Sequence, residues 1–435
     1  MATRLWALLL LILLCCALPR TGGAQTEGTA RGAAAAAPAE RIVNVETATR
    51  AKQREHGFQA QLFPLLPFRL LGQGMERGLI AVEKHHLLDK ARYYMTEHER
   101  GFVPVFGRLG VGTGLALGFK YYRNDFLRRG GELDIPVRAS SLLYQEYGLE
   151  VRLPLDSPQR VFWDAATYYR VRTQDDFFGL GNDSRVGDRT SYMLQSREVS
   201  FGPRFEFTPR LRVATRFGYR GTNVFDGKDR RFPVITQRFA RAQIPGLRNG
   251  ARQWIGGAEL VHEGRDVPGR PRRGGYHRLA ASWHQSGDSN DFGFWRYQVE
   301  AERYVPLGSR NRILALRFLG ITNQARGGSA VPFFEQAILG GSSTMRGFRE
   351  FRFYDLSGIL ISAEYRYNLN SFMDMLFFID QGQVARQPGD FSWGGLRTGY
   401  GGGLRFLSAK ATPFKILFGR SNEGTRFYFS LGGAF

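Results

Sequence analysis

The chain has 435 residues, with 60 Lys+Arg against 39 Asp+Glu and a formal net charge of +21. Hydrophobic residues at 43% and charged residues at 23% are ordinary globular proportions, which excludes a disordered chain and a polytopic helical membrane protein. With 54 Gly, 35 Phe and 14% aromatics, the composition favours a turn-rich β protein over a helical bundle.

Residues 1–24 read as an export signal. Arg4 precedes an apolar run over residues 5–18, too short to cross a bilayer, and Gly22 and Ala24 stand where a small-residue cleavage site needs them. Both cysteines, Cys15 and Cys16, lie in this run, so cleavage after Ala24 removes every thiol. A disulfide framework, a thiol nucleophile and a Cys-ligated metal go with them. Residues 25–66, Ala-rich and of low complexity, read as a flexible tether. Residues 67–98 predict one amphipathic α-helix, because Leu71, Met75, Leu79, Val82, Leu87, Ala91 and Met95 recur at helical steps with charges between them. Those charges are mixed in sign, which favours packing on the protein over lying on a membrane. His85 and His86 are adjacent, so their rings point to different faces and make no shared metal site.

Over residues 102–435 the period is two. Ile359, Ile361, Ala363, Tyr365 and Tyr367 alternate with Leu360, Ser362, Glu364, Arg366 and Asn368. Leu211, Val213, Phe217 and Tyr219 likewise alternate with Arg212, Arg216 and Arg220. Strands are expected near 160–173, 191–207, 209–221, 252–264, 274–286, 292–306, 311–325, 357–369, 373–386, 397–408, 412–420 and 425–435. Three or four more fit between residues 108 and 155, where the glycine-rich stretch 110–118 suits a weakly paired first strand. The strands exceed the usual soluble length, and short connections alternate with long ones such as 222–251 and 327–355. The last strand carries Phe427, Phe429, Leu431 and Phe435 on one face, a terminal-aromatic pattern that resembles the sorting signal of outer-membrane barrels. These features predict an all-β fold: a transmembrane antiparallel β-barrel of sixteen strands, apolar face to lipid and Arg/Glu face to a wet lumen, in the bacterial outer membrane. The tether and helix would then be periplasmic.

One predicted external loop carries Gly340, Gly341, Ser342, Ser343, Thr344, Met345, Arg346, Gly347 and Phe348. This GGSSTMRGF run resembles the long-loop signature of the bacterial surface antigen superfamily, the BamA/TamA-type assembly and translocation barrels. Phe378, Asp380, Gly382 and Val384 resemble a strand motif of the same family, and residues 177–184 (FFGLGNDS) resemble one of its loops. Met345 departs from the motif, where a β-branched residue is more usual. Alternation places Glu364 and Asp380 on the lumenal side, so an Arg346 folded inward meets both carboxylates in a fork geometry that Lys lacks. The resemblance implies the same lock. No alternating strand precedes Gly101, so the family's N-terminal periplasmic modules are expected to be absent, and no Gly-x-Ser-x-Gly elbow signals a fused lipase.

The expectation is a non-enzymatic barrel, without catalytic residues, metal site or cofactor, that inserts, assembles or translocates outer-membrane proteins or lipids through a lateral seam. A passive, anion-favouring pore and an outer-membrane lipid hydrolase are the alternatives; for the latter, His284 and Ser286 share a face. Expected partners are outer-membrane lipid and lipopolysaccharide, the barrel assembly machinery for the chain's own insertion, and unfolded outer-membrane protein or lipid clients, with no nucleic acid. The arginine pairs 128/129, 230/231 and 272/273 in connections suit headgroup or lipopolysaccharide phosphates.

Overall fold

The computed structural model describes residues 100–435 except 108, 110–112, 115, 241–242, 248, 288–291, 309–310, 409–411, 413 and 432–435. The expected export signal, tether and amphipathic helix lie outside the described residues, as does Phe435 of the C-terminal signal.

Eighteen strands follow in chain order: β1 (Arg100–Gly107), β2 (Ala116–Asn124), β3 (Glu132–Ser140), β4 (Gln145–Pro154), β5 (Val161–Phe177), β6 (Thr190–Thr208), β7 (Leu211–Asp226), β8 (Ala251–Glu263), β9 (Gly274–Ser286), β10 (Gly293–Pro306), β11 (Arg312–Ala325), β12 (Ala337–Leu339), β13 (Phe353–Asp355), β14 (Ser357–Asn370), β15 (Met373–Ala385), β16 (Arg397–Phe406), β17 (Phe414–Ser421) and β18 (Gly424–Leu431). Sixteen of them pair with their chain neighbours into one antiparallel sheet, while β12 and β13 make a separate hairpin within the β11–β14 connection. Among the described residues no pairing joins β1 to β18.

The alternation seen in sequence becomes an inverted burial pattern. On β14, Leu360, Ser362, Glu364 and Arg366 are buried, while Ile361, on the other face, is 40% exposed. Exposed Phe119, Trp163, Phe217, Trp254, Leu279 and Phe377 continue that apolar outer face around the sheet. A water-soluble sandwich buries such a face; a barrel in hydrocarbon presents it to lipid. The inner face holds a cavity of about 510 Å³ lined by charged side chains, among them Glu198, Arg216, Arg220 and Arg278.

The sheet curls until distant strands meet at both ends. At one end Asn182 Nδ2 donates to the Gly395 carbonyl at 2.8 Å and Arg397 bonds Asp183 at 2.6 Å, linking the β5–β6 and β15–β16 connections. At the other, Thr412 Oγ1 donates to the Gly269 carbonyl at 3.1 Å. The second end has tight turns such as 209–210, where Thr208 Oγ1 accepts from Arg210 N and Leu211 N. The first carries the long connections 178–189, 227–250 and 326–356. The alternation breaks at 422–423, where β17 and β18 join by a tight turn at the long-loop end.

Two details differ from the sequence expectation. The first strand is β1, not the glycine-rich stretch: Gly114 has φ +73° in the connection and Gly118 lies in β2, where a Cβ would stand 2.1 Å from the Val137 carbonyl. Gly110 and Gly112 lie outside the described residues. Strands β5, β6 and β7 run to 17, 19 and 16 residues, longer than their apolar alternation suggested, because their ends continue into a domed structure at the long-loop end. There Phe177, Tyr192, Ile235, Ile244, Leu247, Phe333 and Tyr354 form one buried cluster from the ends of β5 and β6 and two connections.

The outward face yields a direct check. Phe377 is 52% exposed on β15. Phe377→Arg should destabilise the protein folded in lipid vesicles by about 2–4 kcal/mol if the position lies near the bilayer midplane, measured by reversible denaturant unfolding; an unchanged stability would contradict a lipid-facing assignment.

Candidate functional site

The β11–β14 connection does not project away from the sheet. Its tip turns back inward, with Met345, Arg346 and Phe348 each 4% exposed or less. Sharp backbone reversals make this possible: Gly340, Gly341 and Gly347 have φ of 125°, 87° and 97°. At Gly347 the need is strict, since a Cβ there would lie 2.7 Å from the Arg420 carbonyl oxygen. Thr344 Oγ1 accepts from Gly340 N and donates to the Gly340 carbonyl, both at 2.9 Å, which closes the turn on itself.

Arg346 sits at the centre of a buried charge network. Its Nε and Nη2 donate to the two oxygens of Asp380 at 2.7 and 2.6 Å, and its backbone N–H donates to Oδ2 at 3.0 Å. Nη1 donates to Glu364. The guanidinium lies over the Phe378 ring, 3.8 Å from its centroid. Glu364 accepts in turn from Arg366 Nε at 2.7 Å. Arg346, Glu364, Arg366 and Asp380 are all 4% exposed or less, so two guanidinium groups face two carboxylates away from water. An ion cluster so placed offsets its desolvation only when every charge has partners, and this one is neutral and bidentate.

An apolar seat flanks the charges. Leu339, Met345, Phe348, Phe353, Leu360 and Val384 pack together. Gly382 on β15 leaves room for Met345: a Cβ there would stand 2.7 Å from its Sδ. The inward residues of β15 thus supply one wall of the seat, with Phe378 stacking, Asp380 bonding, Gly382 yielding space and Val384 packing.

On its far side the tip is held by the last two strands. Tyr428 Oη accepts from Gly347 N and donates to the Phe348 carbonyl, both at 2.9 Å, and Ser421 Oγ donates to the Gly347 carbonyl at 2.9 Å. Farther along, Arg352 Nε donates to Glu423 at 2.8 Å and its Nη1 to Ser184 Oγ at 2.7 Å. Phe178, Asn182, Asp183 and Ser184 of the β5–β6 connection therefore meet either this loop or the β15–β16 connection.

Sequence reading had named Arg346, Glu364 and Asp380 and the loop and strand motif residues around them. It missed Arg366, Tyr428, Ser421, Arg352 and Glu423. Tyr428 carried a readable signal, being the inward residue between outward Phe427 and Phe429, which are 61% and 49% exposed. Leu431 ends β18. For His284 the partner differs from the one expected: Ser282 Oγ, not Ser286, stands 3.0 Å from His284 Nε2, while Ser286 bonds the backbone of Phe292. The His284 ring stacks on Phe294 at 4.3 Å. Among the described residues no group of three or more His, Cys, Asp or Glu is arranged to hold a metal ion. Of the arginine pairs, Arg231 is bidentate to Asp229 at 2.8 and 2.9 Å, which occupies the fork a phosphate would need.

The closeness of the tip to β16 gives a test. A Cβ on Gly399 would lie 1.8 Å from the Arg346 carbonyl oxygen, whereas one on Gly256 meets nothing nearer than 3.6 Å. Gly399→Ala should displace the tip and expose it to limited proteolysis, and Gly256→Ala should not; equal protease resistance of the two would contradict this seating.

Comparison with known proteins agrees with this architecture. Among solved structures, BamA from Haemophilus ducreyi lacking POTRA domains 1–3 superposes with a TM-score of 0.60 at 14% identity, over 78% of this chain and 70% of that one. CdiB from Escherichia coli gives a TM-score of 0.50 at 13% identity, over 77% of this chain and 62% of that one. This chain therefore spans less than two thirds of the CdiB chain. No curated protein matches the sequence. The Omp85 superfamily domain matches residues 125–435, most of the chain and every element of the site. The chain belongs to the Omp85 superfamily of bacterial outer-membrane β-barrel proteins.

Proposed function

We propose that this barrel inserts or translocates outer-membrane proteins or lipids through a lateral seam between β1 and β18, with the MRGF loop locked inside the barrel as the strut that holds the closing strands. The observation that carries the proposal is that both sheet edges are unpaired among the described residues, in the part of the sheet where strands are short, with β2 and β3 at 9 residues and β17 at 8. Both β1 and β18 have 8 residues and no mutual pairing among the described residues, while β5–β11 run from 13 to 19. Unpaired strand edges in lipid are costly, so a client strand that supplies the missing hydrogen bonds is drawn to them.

A passive pore is the weaker reading. The aromatic cluster from two connections and the ends of β5 and β6, together with the inward loop, occupies the long-loop end, and many inward arginines are already paired, such as Arg220 with Glu198 and Glu335 and Arg278 with Glu259. A polypeptide or lipid leaving sideways needs no open axial channel. A hydrolase reading rests on Ser282 and His284, whose buried Nδ1 has no hydrogen-bond partner among the described residues, so no third member of a catalytic constellation is seen there. Outer-membrane lipid and unfolded barrel proteins are the proposed clients, the residues ahead of β1 the periplasmic portion, and the barrel assembly machinery the route of the chain's own insertion.

The test is a cysteine pair, one on β1 and one on β18, in a chain whose only cysteines are Cys15 and Cys16. Oxidation should abolish support of outer-membrane assembly in depleted cells and reduction should restore it. Undiminished activity of the oxidised protein would reject the seam.

A further inference from the structure

His262 and His277 take no part in the network above, yet their geometry is specific. They are direct cross-strand partners on β8 and β9, in the register that also pairs Leu260 with Leu279. Both point outward: the neighbouring Val261 is buried on the inner side, and Leu260 and Leu279, the next outward pair, are 38% and 49% exposed. Their two Nδ1 atoms converge to 3.4 Å, with the rings inclined by only 22°. Each ring lies over a glycine, since a Cβ on Gly264 would stand 3.1 Å from His262 Cε1 and one on Gly275 3.3 Å from His277 Cε1.

We propose that His262 and His277 form a two-imidazole site for a divalent transition-metal ion such as Zn²⁺, at the tight-turn end of the barrel's outward face. Zinc–nitrogen bonds of about 2.0–2.1 Å meeting at a tetrahedral angle of about 109° place the two nitrogens about 3.3–3.4 Å apart. The observed separation is that bite. The ladder between β8 and β9 holds both backbones in place, so chelation requires little rearrangement. Imidazole is a good ligand for zinc, copper and nickel and a poor one for magnesium or calcium, which selects the ion class. The remaining coordination positions fall to water, because Glu263 points inward and is bound by Arg265 Nε at 2.8 Å. Exposed Arg303, on the adjacent β10, places a positive charge near His277 and weakens the site without blocking it.

The test is calorimetric titration of the purified full chain in detergent with ZnCl₂, comparing wild type with His262→Gln, His277→Gln, His284→Gln and Arg303→Gln. A gel-mobility assay of heat-modifiable folding confirms that each variant is folded. Wild type and His284→Gln should share one 1:1 binding component. Either outward histidine variant should bind it at least about tenfold more weakly, since a chelate becomes a single ligand. Arg303→Gln should tighten it several-fold. Absence of that component in wild type, or its survival in His262→Gln and His277→Gln, would overturn the proposal and leave the two rings as a neutral hydrogen-bonded pair.

Discussion

The buried contact of Arg346 with Asp380 and Glu364 is the constraint on which the arrangement of this barrel's loop end depends. A guanidinium taken out of water is tolerated only beside fully matched acceptors, and the match here uses both oxygens of Asp380, one of Glu364 and the aromatic face of Phe378. Arg366 supplies a second positive charge that balances the second carboxylate, and buried Arg405 and Lys415 add positive charge near Glu364. Removing Arg346 leaves two carboxylates buried on one guanidinium, at a cost of about 3–5 kcal/mol. Such a cluster is a poor source of net stability compared with an apolar core. What it supplies is direction: the observed loop conformation brings the backbone N–H and every side-chain nitrogen of Arg346 onto a carboxylate.

That conformation reaches five successive strands of the sheet. Glu364 and Asp380 belong to β14 and β15, Gly399 to β16, Ser421 to β17 and Tyr428 to β18. The loop therefore ties the last five strands of the sheet to one another through its own backbone, including the strand at the open edge. In the proposed function this makes β18 a held edge, supported from within the barrel, and leaves β1 as the less restrained side of the seam. The asymmetry fits a gate that must offer one edge to a client without losing the other.

Much of this was legible in the residues themselves. The alternation of Ile361 with Ser362 and Glu364 gave the strand, and strand length, the alternation of short and long connections and the terminal aromatics gave its facing, since a period of two alone fits a sandwich or a barrel. Apart from the ends of β5–β7, strand limits from 160 onward were readable from the same alternation. Pairing of Arg346 with Glu364 and Asp380 followed from facing plus charge. The overextended ends of β5–β7 were not legible, since Phe177 on β5 and Tyr192 on β6 are buried there only by packing against distant connections such as the one that carries Phe333. Nor was the role of Arg366, two residues from Glu364 on the same face, because alternation shows that both point inward but not that one side chain bends to the other. Tyr428 is easily passed over between its neighbours: Phe427 and Phe429 draw attention to the outward face of the last strand, while the contact with the loop is on the inward one. The His262–His277 pair needed the β8–β9 register, which a one-residue slip would have destroyed.

The claim that the loop network restrains the last strand is tested most directly by hydrogen–deuterium exchange in wild type, Arg346→Ala and Tyr428→Phe. The account predicts faster exchange across β18 in both variants, with β8 to β10 unchanged. Exchange that is unaltered in β18, or accelerated uniformly over the sheet, would contradict it.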